Sequence, residues 1–135
     1  MLDVFVKPED TITVRFAVAV DNEGKMYADA IKEDLSKMLE GSEFTIEEHS
    51  VTFKRPDFGD TVKLSQGISS DGVNVTLNLL PQRYQRMIKL IKSWTLKDKE
   101  GKILESNEKN ISSLNPIVAS VILDQLDIEM GNIFA

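Results

Sequence analysis

Three observations predict an α+β fold. Residues 11–20 alternate strictly, with Ile12, Val14, Phe16, Val18 and Val20 on one face against Thr11, Thr13 and Arg15. Residues 44–55 return to strand character after a polar, Gly-bearing stretch. Apolar residues recur at helical spacing in 25–39, 81–94 and 116–130. The expected architecture is a small antiparallel sheet of strands 11–20, 44–55, 61–65 and 73–79, crossed by the helix 25–39. A C-terminal pair of helices, 81–94 and 116–130, packs against this sheet or projects from it.

Each element has a local reason. In the first strand, small Ala17 and Ala19 on the second face predict that its far end is covered too. Asp21-Asn-Glu-Gly24 ends the strand. The helix 25–39 rests on Tyr27, Ile31, Leu35 and Met38, with Gly41 placed for a left-handed stop. In 44–55, Phe44 and Ile46 share one parity and Val51 and Phe53 the other, which predicts a bulge or break near Glu48–Ser50. Pro56-Asp-Phe-Gly59 reads as a turn. The stretch 61–79 reads as a hairpin through Ser69-Ser-Asp-Gly72, from the alternation of Val62 with Leu64 and of Val73, Val75, Leu77 and Leu79.

Pro81 is expected at the first helical position, where its missing N–H costs nothing. Leu80, Tyr84, Met87, Ile88, Ile91 and Trp94 form the stripe to be buried. Asp98-Lys-Glu-Gly-Lys102 is a turn joining short extended arms at 95–96 and 103–104. Asn115 caps the last helix ahead of Pro116, Val118, Val121, Ile122 and Leu126 face inward, and Gly131 ends it. No internal repeat or low-complexity segment is apparent.

With 135 residues and 41% hydrophobic content, one domain with a true core is expected over 1–135, subdividing at Pro81 into a sheet-rich part, 1–80, and a helical part, 81–135. The absence of cysteine removes disulfides, thiolate nucleophiles and Cys-based zinc sites. Asp3 stands early, with no cationic run ahead of a long apolar stretch, so a signal peptide is not expected. The longest apolar run, 16–20, is far short of a membrane span. A soluble, cytoplasmic protein is the expectation.

The net charge of −6 is unevenly distributed. Residues 1–50 carry −7, 51–80 are neutral, 81–102 carry +5 and 103–135 carry −4. An acidic chain with one basic segment disfavours broad nucleic-acid binding. It suits protein contact, including self-association in which the basic segment of one copy meets acidic surface of another. The partner-binding candidates are Arg83, Arg86, Lys89 and Lys92. The same four side chains also fit a solvated outer face over a buried stripe. A small nucleic-acid-binding regulator is a further alternative, although the aromatics lie on the core stripe rather than among the cations.

No catalytic constellation is found. His49 is the only histidine, expected at the surface or a sheet edge, with only Glu47 on its face. Asp57 and Asp60 read as turn formers rather than cation ligands. Asp124 and Asp127 read as a solvated helix face. Gly67-Ile-Ser-Ser-Asp-Gly72 lacks the Lys-Ser/Thr of a phosphate loop. No catalytic residue, metal site or cofactor is therefore assigned.

The helix Arg83-Tyr-Gln-Arg-Met-Ile-Lys-Leu-Ile-Lys-Ser-Trp94, the segment Thr95-Leu-Lys-Asp-Lys-Glu-Gly101-Lys and the later Asn110-Ile-Ser-Ser-Leu-Asn-Pro-Ile are similar in layout to bacteriophage tail proteins. Over about half the chain it resembles tail assembly chaperones and baseplate-hub accessory proteins of contractile-tailed phages. Lys54-Arg-Pro-Asp-Phe-Gly-Asp60 also looks like a baseplate-protein segment. The resemblance implies a non-enzymatic protein that holds or templates a tail or baseplate component in the host cytoplasm through 81–126. A structural subunit kept in the virion is the alternative it leaves.

Overall fold

The computed structural model describes residues 2–65 and 75–130. It shows an α+β fold with a four-stranded antiparallel sheet, in the order β2-β1-β3-β4. The strands are β1 (Thr11–Asp21), β2 (Met26–Asp29), β3 (Phe44–Lys54) and β4 (Ile91–Trp94). The helices are α1 (Lys32–Met38), α2 (Phe58–Ser65), α3 (Val75–Leu90), α4 (Glu108–Ser112) and α5 (Pro116–Glu129).

β1 and β3 form the spine, paired without interruption from Thr11↔Lys54 to Asp21↔Phe44. The bulge expected near Glu48–Ser50 is therefore absent from this pairing, and the register shift falls at Thr52/Phe53, against β4. The parity change has another cause. Residues paired directly across two strands share a face. Ile12, Val14 and Phe16 thus lie with Phe53, Val51 and His49 on one face, and Ala17 and Ala19 lie with Glu48 and Ile46 on the other. Each face is covered over only part of its length, and the covered parts differ.

The first face carries the main core. Ile12, Val14, Phe16, Val51 and Phe53 are buried with Met87 and Leu90 of α3 and Val118, Ile122, Leu123 and Leu126 of α5. A fully buried Phe16 or Phe53 contributes about 1.5–3 kcal/mol by removal from water. The second face has a smaller cluster, in which Leu35 and Leu39 cover Ala17 and Ala19, with Tyr27, Phe44 and Ile46 at the margin. The alanines are 0% and 1% exposed, as their small size predicts for a closely covered strand.

The helix expected over 25–39 is shorter and starts later. Residues 26–29 instead pair with β1 as β2. The turn between them decides this. The Asp21 carboxylate accepts the N–H groups of Glu23 and Lys25, both at 2.9 Å, Asp21 N–H donates to Lys25 O, and Gly24 takes a left-handed φ of 84°. A hairpin is thus closed before any helix begins. The same arrangement recurs at Asp98-Lys-Glu-Gly-Lys102. There Asp98 accepts from Glu100 and Lys102 N–H, its own N–H donates to Lys102 O, and Gly101 has φ 83°. The chain therefore uses one turn sequence, Asp-x-Glu-Gly-Lys, twice. At the second site it joins the predicted arms through a Lys97↔Ile103 bridge.

The predicted hairpin 61–79 is also corrected. Residues 58–65 form α2, and 75–79 belong to α3; the Ser69–Gly72 turn lies outside the described residues. A reciprocal cap starts α2. Asp60 N–H donates to Asp57 Oδ1 at 2.8 Å, and Asp57 N–H donates to Asp60 Oδ2 at 3.2 Å. Two aspartates three apart thus satisfy each other's amides, overriding the short alternation of Val62 and Leu64. α3 begins before Pro81, which lies inside it, and Leu80 is 67% exposed rather than part of the buried stripe.

α3 ends at Leu90, so Trp94 is not on a helix. Trp94 pairs with Val51 on the main core face, and its indole N–H donates to Leu104 O at 2.6 Å. α5 follows expectation, with Asn115 Oδ1 accepting Ile117 N–H at 2.9 Å and Val118, Ile122 and Leu126 buried. The expected end at Gly131 lies outside the described residues. No helix among those described is long and apolar enough to cross a membrane.

Candidate functional surfaces

Arg83 and Arg86 sit one helical turn apart on α3, facing Asp124 and Asp127 at the same spacing on α5. Arg83 Nη2 contacts Asp124 Oδ1 at 2.6 Å and Asp127 Oδ2 at 3.3 Å, and Arg86 Nη1 lies 2.7 Å from Asp127 Oδ1.

The Arg86 side chain is 4% exposed. Burial pulls its guanidinium below the ordinary value, with Asp127 opposing and Arg83 reinforcing the shift. It remains charged at neutral pH. Asp124 and Asp127 are thus not merely a solvated face, since they meet the arginines of the basic segment. The charge contrast seen in the sequence is partly an intramolecular clamp between α3 and α5. Lys89 and Lys92 are exposed, so the four predicted partner-binding residues are divided between interior and surface.

His49 is half-buried, just past the part of β3 that β4 covers. Its side chain is 9% exposed, beside the Phe16 ring. Nε2 lies 3.0 Å from Glu47 Oε2, and Nδ1 lies 3.2 Å from Thr95 Oγ1. Glu47 is the same-face neighbour that strand alternation predicts. Thr95 comes from the segment after β4, a contact that local sequence does not signal. Among the described residues, no group of three His, Cys, Asp or Glu side chains is placed to hold a metal ion.

Two clefts meet at His49. One, of about 550 Å³, lies between the start of α1 and the middle of β1 and β3, with Arg15, Lys32, Glu33, Glu48 and Lys97 in its wall. The other, of about 360 Å³, lies on the main core face beside the start of α5, floored by Val18, Val20, Met26, Leu96, Leu114 and Val118. Sequence reasoning missed both because each is assembled from distant segments.

A third surface is the sheet end where β1 begins and β3 finishes, held by Arg55 N–H donating to Asp10 O. From this end leave the N-terminal arm, with Leu2, Val4 and Phe5 at 88%, 80% and 79% exposure, and the α2 start, with Phe58 at 85%. Large apolar side chains left exposed on both segments that leave one sheet end offer a contact surface. These features define an α+β protein with a charge-clamped helix pair and uncovered apolar surfaces. Comparison with protein-family models, curated proteins and solved structures gives no match.

Proposed function

We propose that this chain is a non-enzymatic assembly or interaction protein acting through protein–protein contacts, with a bacteriophage tail or baseplate component as its partner. The observation that carries the interaction role is the exposure of Leu2, Val4, Phe5 and Phe58 on the two segments that leave one sheet end. Exposed Lys89 and Lys92 add a basic element to the partner surface. The phage assignment rests on the sequence resemblance. A role as a retained virion subunit is separated from an assembly role by mass spectrometry of purified particles. A nucleic-acid role would have to work with two of its four cations engaged by Asp124 and Asp127.

The test is affinity capture from a phage-infected lysate together with light scattering of the purified protein. Wild-type protein is expected to capture an identified tail or baseplate component. Phe5→Asp combined with Phe58→Asp is expected to lose that component while the thermal melt is retained, because both side chains are exposed. A strictly monomeric wild-type protein that captures no tail component defeats the proposal.

A further inference from the structure

The 360 Å³ cleft lies at the other end of the sheet from the apolar arm. Its floor is a stretch of strand face that stays apolar but is only partly covered: Val18, Val20 and Met26 are partly buried, with Leu114 and Val118 along one side. At about 30 Å³ per non-hydrogen atom in a liquid, the space holds roughly a dozen such atoms. A concave apolar bed of this size with a few polar groups at its rim has the form of a small-molecule site.

The rim decides the chemistry of the ligand. Asn110 Nδ2 donates to Glu105 O, Ser113 Oγ donates to Lys109 O, and Asn115 Oδ1 caps α5. Glu47 and His49 hold one another at 3.0 Å. Lys97, carried on the 95–104 hairpin, has no carboxylate within ion-pair distance among the described residues. The rim thus offers an uncommitted ammonium beside an apolar bed.

We propose that this cleft binds a small amphipathic carboxylate, with its hydrocarbon body on Val18, Val20, Met26 and Leu114 and its carboxylate at Lys97. Trp94 lines the same space and is the only tryptophan in the chain, so its emission reports occupancy without a label.

The experiment titrates decanoate, decylamine and decanol, each below its aggregation concentration, into the full chain while Trp94 fluorescence is followed. Decanoate is expected to give a saturable change and to bind more tightly than the other two. Lys97→Glu, at an exposed position, is expected to weaken decanoate roughly fivefold or more and to reverse the preference for carboxylate over amine. Val18→Phe fills the floor and is expected to weaken all three probes at least tenfold, with circular dichroism confirming the fold. The proposal is overturned by an absence of saturable decanoate binding, by decylamine binding as tightly as decanoate, or by Lys97→Glu leaving the preference unchanged. The Lys97→Glu result stands alone if Val18→Phe does not fold. Because Phe5 and Phe58 are not involved, failure here leaves the assembly proposal intact, and the reverse also holds.

Discussion

The two faces of the sheet leave opposite ends uncovered, and the uncovered parts differ in chemistry. Where α1 does not reach, the second face presents Thr11, Thr13, Arg15, Thr52 and Lys54, and the Thr13 and Thr52 hydroxyls lie 3.2 Å apart. That surface is made for water. Where the cover of α5 gives out, the main core face presents partly buried Val18, Val20 and Met26, which line a cleft that Val118 of α5 borders. An uncovered strand end is therefore not by itself a site. It becomes a candidate when apolar side chains persist beyond the helix that would bury them, as they do only on the main core face of this β1–β3 pair.

The sharpest way to break this contrast is to compare deletions beneath the two covers. Phe53→Ala removes a ring that is 0% exposed within the main core, and is expected to cost about 3–5 kcal/mol. Leu35→Ala, beneath the smaller cover of α1, is expected to cost about 2–3 kcal/mol, at the lower end for a buried leucine. Val20→Ser, in the cleft floor, is expected to cost about 1 kcal/mol or less, because its face there is already open to solvent. Denaturant midpoints measured at constant slope rank the three. If Val20→Ser costs as much as Leu35→Ala, the supposed cleft floor is ordinary core.

How much of this was legible follows the range of the forces involved. β1, β3 and α5 were readable because alternation, helical spacing and the Asn115-Pro116 start are local signals. The left-handed conformation at Gly41 was readable for the same reason, and has φ 88°. Residues 91–94 were not, since Ile91 and Trp94 continue the helical stripe of α3 as well as they fit a strand. Pairing with Val51, Thr52 and Phe53, about forty residues away, decides the matter. β2 is four residues long and owes its existence to the turn at Asp21. α2 had a readable start in Asp57 and Asp60, but short alternation competed with it. At the surface, the exposed lysines were legible. The ion pairs were signalled only by matched spacing of three in Arg83/Arg86 and Asp124/Asp127, while the His49 environment and both clefts arise from contacts between remote segments.

That matched spacing gives the next test, which asks whether α3 and α5 are held over the main core face by charge as well as by packing. Asp127→Asn leaves the Arg86 guanidinium buried with a weaker partner and is expected to cost about 2 kcal/mol. The value falls short of the range for a fully buried pair because Asp127 is 25% exposed. Asp124→Asn, at 62% exposure, is expected to change stability by less than about 0.5 kcal/mol. Equal costs at the two positions would mean that burial does not govern the clamp.

A modest effect is expected at the sheet end from which the apolar arm departs, and it is read by pH. Lys54 Nζ lies 3.0 Å from Asp60 Oδ2, and Asp57 N–H donates to the same carboxylate. The Lys54 contact, then the Asp57 amide, hold the Asp60 carboxyl below the ordinary aspartate range. Because the folded value is the lower one, the pair stabilises the fold above the unfolded-state pKa, and that contribution disappears as pH falls through the folded value. Lys54→Met should raise the Asp60 pKa measured by NMR and reduce stability at pH 6 by no more than about 1 kcal/mol, given partial exposure of both groups. The difference between wild type and variant should close as the solution is acidified below the folded pKa of Asp60. A difference that persists unchanged there would place the effect of Lys54 in its hydrocarbon stem, packed along the sheet end, rather than in its charge.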